Sequence, residues 1–164
     1  MAILTTDILF RLSGGAANAV QAASLGGAKS SNAASASLFD DVSSAESTAG
    51  DVEYRCVYVH NAHATLSLTS AVAWMAANTP SATTTVEVGV GTSAVNATEQ
   101  TIVDENTAPS GITFVPAATQ GAGVVLGDIP AGQHRAVWLR RTVNAGTAAA
   151  SDSFTLRATG NTAA

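Results

Sequence analysis

The chain has 164 residues, enough for one domain with an appendage or for one long domain. Only 12% of them are charged, the net charge is −5 and Lys29 is the single lysine, which argues against the clustered Lys and Arg of a nucleic-acid interface. Hydrophobic residues reach 46% but Phe, Trp and Tyr together only 5%, so alanine supplies much of the apolar content and the large core residues gather after residue 52. So sparse a charge leaves two readings of the surface open, one covered by neighbouring subunits and one dominated by Ser, Thr and Ala.

In chain order, residues 2–12 are a short apolar segment whose length permits a strand or two helical turns. An Ala/Ser/Gly/Asn stretch follows to about Ser37, in which only Val20 and Leu25 are large and apolar. Such a stretch buries too little to offset the cost of ordering its backbone, about 1–2 kcal/mol per residue. The expectation is an extended N-terminal arm over residues 1–50, mobile alone and ordered against a partner, followed by a β-sandwich domain over 51–164. The candidate contact residues of that arm are Ile3, Leu4, Ile8, Leu9, Phe10 and Leu12 at its start and Leu38 and Phe39 near its end. Asp40-Asp41 opens an acidic run to Asp51; it lacks the ligand spacing of a calcium loop and reads as a solvated loop.

From Glu53 to Asn78 the pattern sharpens. Tyr54, Cys56 and Tyr58 alternate with Arg55, Val57 and Val59, then His60-Asn61-Ala62-His63 breaks the run. Leu66, Leu68, Val72 and Trp74 next alternate with Ser67, Thr69, Ala71 and Ala73, so the two runs predict a β-hairpin with one buried face. A turn is expected at Asn78-Thr79-Pro80-Ser81, where Pro80 cannot donate to a ladder. Further strands are expected over residues 83–91, 98–103, 112–115, 123–129, 133–143 and 153–159, with a loop from Asn144 to Ser151. That makes about eight strands with frequent turns and no long amphipathic helix, the pattern of an all-β antiparallel sandwich or jelly roll. The expected core includes Tyr54, Tyr58, Leu66, Leu68, Val72, Val86, Val88, Trp138, Phe154 and Leu156.

Residues with chemical potential find structural explanations. Cys56, between two tyrosines on one strand face, reads as a buried inert thiol. Arg140-Arg141 is the only basic pair, and a strand sends its members to opposite faces. His60 and His63 suit a polar turn and lack a third metal ligand, while His134 lies in a strand. Ser110 sits in an ordinary turn before Gly111 rather than in a nucleophile elbow. Trp74 and Trp138 lie in strand patterns and pack rather than stack on sugars. The reading is therefore of a non-enzyme with no catalytic residues, no metal and no cofactor. No apolar run approaches the roughly 20 residues of a membrane span, and the first residues lack the basic leader of a secretory signal, so the expectation is a protein made and kept in the cytoplasm until it assembles.

Several segments, LSGGAANAVQAASLGGAKSS, DVEYRCVYVHN, NTPSATTTVEVGVG and IPAGQHRAVWLRRTVNAG with SDSFTLRATG, resemble virion structural proteins of tailed bacteriophages. A β-sandwich of this size with an N-terminal arm is similar to capsid decoration (cement) proteins. The resemblance implies a non-enzymatic role stabilising the head lattice, the major capsid protein or other virion proteins as partners, a homo-oligomer, and a place in the virion after assembly in the host cytoplasm. It implies neither nucleic-acid nor membrane binding. A tail, neck or fibre-attachment component, or a carbohydrate-binding module with exposed aromatics, are the alternatives.

Overall fold

The structure, a computed structural model, describes residues 2–78, 83–146 and 152–162. Among these residues the strands are β1 (Ile8–Leu12), β2 (Gly26–Gly27), β3 (Asp51–Asn61), β4 (Leu68–Ala77), β5 (Thr84–Val90), β6 (Glu99–Thr101), β7 (Val124–Ile129), β8 (His134–Val143) and β9 (Thr155–Thr162), with one short α-helix, α1 (Ser44–Ala49), and three single-turn 3-10 helices. All pairings are antiparallel. One sheet has the order β1-β3-β8-β5, the facing sheet β7-β4-β9, and β2 pairs with β6. The fold is thus the expected antiparallel β-sandwich.

The first sheet is organised around β3 and β8, which pair from Asp51↔Val143 to His60↔His134. Their β-branched and aromatic residues favour a pleated strand, and both faces are covered. On one face Val57, Val59, Val137 and Leu139 meet Leu68, Ala71, Ala73 and Met75 of the second sheet. On the other, Tyr54, Cys56, Tyr58, Ala136 and Trp138 are roofed by Leu25, Ile102, Ile112 and Phe114. That roof is why residues 112–115 are not the ladder strand expected of them. They cross Gly89, where a Cβ would stand 2.5 Å from Ile112, and touch the sheet by one bridge, Val88↔Val115.

The expected hairpin of β3 and β4 does not form. The two strands lie in different sheets, so the polar break is a crossover between layers. Asn61 makes the corner: its side-chain amide donates to the carbonyls of Leu66 (2.8 Å) and Ile129 (2.9 Å) and its Oδ1 accepts from His63 N. The second expected alternation also fails at one residue. A bulge near Ser70, which has φ +50°, shifts the register, so Ala71, Ala73 and Met75 face inward while Val72 and Trp74 are half-buried. One inserted residue exchanges the two faces of everything after it. Leu66, Phe154 and Leu156, expected in the core, are likewise half-buried.

The described part of residues 1–50 differs most from expectation, because it is folded onto the sandwich rather than extended from it. Strand β1 pairs with β3 from Ile8↔Asn61 to Leu12↔Val57, across the expected boundary at residue 50. The small residues that cannot form an apolar core here form a hydrogen-bonded one. Leu12 N donates to Asn32 O, Ser30 N to Leu12 O and Ala34 N to Phe10 O. The Ser13 hydroxyl, fully buried, donates to Cys56 O and accepts from Gly26 N. Cys56 N reaches Ser24 O along the part of β3 that β1 leaves free. Paired backbone groups offset an ordering cost that apolar burial alone would not. The expected turn at residues 78–81 and loop at 144–151 lie largely outside the described residues.

Candidate functional site

A cluster of buried ion pairs occupies the Asp51–Val143 end of the β3–β8 ladder. Glu53 and Arg141 are directly opposed in register, 1% and 7% exposed. Arg141 pairs with Glu53 Oε2, and its Nη2 reaches Asp40 Oδ1 at 3.0 Å. Two residues along β3, Arg55 pairs with Glu105 and donates through Nε to Leu38 O at 3.2 Å. Phe39 lies between the two guanidiniums, with their carbons 5.5 and 5.0 Å from its ring centroid. The arginines therefore clamp the segment 38–40, and Leu38 and Phe39 anchor this chain's own core rather than a partner. Arg140, on the opposite face, pairs with Glu87 and stacks over Phe114, as alternation requires.

Beside this cluster, α1 returns the chain to β3. Ser43 and Glu46 form a reciprocal capping box, and Gly50, with φ +79°, allows the turn into Asp51. Asp51 and Glu53, two apart on a strand, share a face. One carboxylate oxygen from each of Glu46, Asp51 and Glu53 lies within 4.8 Å of the others. Each carboxylate is held by a separate donor: Glu46 Oε2 by Ser43 N, Asp51 Oδ1 by Asn106 Nδ2 and Glu53 Oε2 by Arg141. Glu53 Oε1 is buried with no hydrogen-bond partner among the described residues. Burial pushes the Glu53 carboxyl up to about 7 against the pull of Arg141, and Asp40 and Glu105 add to the rise. Sequence reasoning missed this group, although S-x-x-E at 43–46 and D-x-E at 51–53 were both readable.

At the other end of the ladder, His60 and His134 are cross-strand partners. Burial first, then Lys29, hold both below the ordinary histidine range, His134 at about 4. His60 Nε2 lies 3.2 Å from Gly132 O, the His134 ring meets Tyr58 edge-on at 4.8 Å, and both Nδ1 atoms are buried without hydrogen-bond partners among the described residues. His63 serves its own turn, its Nδ1 accepting from Thr65 N and Leu66 N. Cys56 is fully buried and burial pushes its thiol up, which suits the inert role expected of it. Ser110 is exposed and bonded to Gln100 through its backbone, and Asp104 accepts from Thr107. Among the described residues, no hydrogen bond joins Cys56, Ser110 or Asp104 to a histidine side chain.

Of the other expected contact residues, Leu12 is fully buried in the core, and Ile3, Ile8 and Phe10 pack against it from partly buried positions. Leu9 is half-buried and Leu4 is 62% exposed. A groove of about 860 Å³ opens between Leu38–Val42 and Asp152–Phe154, floored by Phe39, Val86 and Arg141. No protein-family model, curated protein or solved structure matches the chain.

Proposed function

We propose that the protein is a non-enzymatic structural component of a tailed-phage virion, a decoration protein that binds the capsid lattice through the surface of its folded domain. The observation that carries this reading is the commitment of large and ionisable side chains to the fold. Trp138 and Tyr58 are fully buried, Tyr54 nearly so, and Arg55 and Arg141 clamp a loop of the same chain. A carbohydrate-binding module needs aromatic platforms in solvent; here Trp74 is half-buried, with Arg157 6.0 Å over its ring. The sequence resemblance to virion proteins supplies the context, and the low charge content suits a surface covered by neighbouring subunits.

The test is genetic and structural. Interrupting the reading frame in the encoding phage should yield particles with normal tails whose heads rupture at lower temperature. Adding back the purified chain should restore heat resistance and add density to the capsid surface in electron cryomicroscopy. Intact, heat-resistant heads lacking tails, or virions that never contain the chain, would overturn the proposal.

A further inference from the structure

We propose that Glu46, Asp51 and Glu53 form a binding site for a hard divalent cation, Ca²⁺, that locks α1 onto the start of β3. The argument begins with donor chemistry. The group offers only carboxylate oxygens, which suit calcium rather than metals that prefer nitrogen or sulfur. Calcium–oxygen distances of about 2.3–2.6 Å place oxygens on opposite sides of one ion about 5 Å apart. One carboxylate oxygen from each residue lies within 4.8 Å of the others, close enough for a single ion to touch all three.

A second observation points independently to a ligand. Glu53 is 1% exposed, yet its Oε1 has no hydrogen-bond partner among the described residues, and one oxygen of its carboxylate lies within 4.8 Å of an oxygen of Glu46 and of Asp51. A buried carboxylate oxygen without a donor is costly, and a cation between the three groups would satisfy it. Arg141 does not fill that role. It binds Glu53 through Oε2 and is shared with Asp40, so it offsets only part of the local negative charge.

The carboxylates are also held in place before any ion arrives. Ser43 N, Asn106 Nδ2 and Arg141 each fix one oxygen, leaving every carboxylate a second oxygen outside these bonds. The three ligands come from two neighbouring elements, α1 and β3, joined by the turn at Gly50, and water would complete the shell. Glu46 and Asp51 are only half-buried, so an ion and its waters have a path in. Calcium bound here would join α1 to β3, beside the loop that Arg55 and Arg141 clamp.

The full chain, stripped with EDTA, is titrated with CaCl₂ by isothermal calorimetry, with thermal unfolding in parallel. A single saturable site is expected, with a dissociation constant in the roughly micromolar-to-millimolar range of protein calcium sites. The Tm should climb with calcium beyond that concentration, because the ion binds only the folded chain. E46Q and D51N keep an acceptor for Ser43 and Asn106, so both should fold, and each should weaken calcium by about tenfold or more through loss of a charged ligand. Three results would overturn the site: no heat and no Tm shift up to about 10 mM calcium, above the usual range for such sites; an equal shift from MgCl₂ or NaCl at matched ionic strength; or undiminished calcium binding in an E46Q/D51N variant. The wild-type titration decides the matter even if a variant misfolds.

Discussion

At one end of the β3–β8 ladder Glu53, Arg55 and Arg141 are buried beside partners of opposite charge; at the other, His60 and His134 are half-buried and their protonation is suppressed. The difference follows from what faces each group. Glu53 has a guanidinium opposite it in register and Arg55 has Glu105 within reach, so each charge has a counter-charge that works against desolvation, although at Glu53 burial still raises the carboxyl to about 7. The histidines face each other and Lys29, so a proton on either would have no counter-charge. One end of the strand pair is held by attraction between unlike groups, and the other tolerates its imidazoles only while they are neutral. Removing a partner at the first end is therefore far more damaging than removing a ring at the second.

The sharpest way to break that comparison is Arg141→Met. It leaves Glu53 and Asp40 without their common partner and should cost about 3–5 kcal/mol in urea denaturation, the usual penalty for stranding a buried charge. Adding Glu53→Gln should recover much of the loss, because the uncompensated charge is gone. A loss below about 1 kcal/mol, the size of an exposed ion pair, would show that the cluster is solvated rather than buried.

Leu12→Ala tests the neighbouring strand. Leu12 is fully buried although it belongs to the segment expected to be a free arm. A cost of about 2–5 kcal/mol is expected for a core leucine, and almost none for one on a mobile arm.

The smallest effect belongs to the histidine end. His134 is held at about 4 in the folded chain, against 6.5 as its ordinary value. Between these values the unfolded chain binds the proton that the folded chain refuses, so this group's contribution to stability falls as pH drops from 6.5 toward 4 and then levels off. Glu53 acts with the opposite sign: its raised value favours the protonated folded form, and that contribution is lost as pH rises from 4.5 through about 7. Comparing Tm between pH 7 and pH 4.5 in wild type and His134→Gln isolates the first group. The wild type should lose a few degrees more than the variant; equal slopes would mean that His134 titrates normally.

Much of this architecture was legible in the residues. β5, β7, β8 and β9 fall close to where alternation places them, and Trp138 and the opposed directions of Arg140 and Arg141 follow from a period of two. The failures have physical causes. Alternation shows that β3 is a strand but not that both its faces are covered, so the pattern alone points to its nearest alternating neighbour as its partner. The bulge at Ser70 leaves no periodic mark, only a break in phase. The N-terminal segment was misjudged because composition measures apolar burial, whereas Ser13, Ser24 and Ser30 are buried through backbone contacts that depend on register. Leu38 and Phe39 were legible as anchors, but sequence does not say whose core an anchor enters. The three carboxylates escaped notice because their proximity depends on the turn at Gly50.

Residues 2–37 belong to the folded domain, and under the proposed role a partner would meet the domain's surface rather than an extended arm. Native-state amide hydrogen exchange on the free, full-length chain tests it without mutation. The amides of Leu12, Ser30 and Ala34, which donate to Asn32, Leu12 and Phe10, should exchange nearly as slowly as those in the β3–β8 ladder. Exchange of these amides at unprotected rates, while the ladder stays protected, would contradict the account and restore the arm as the docking element.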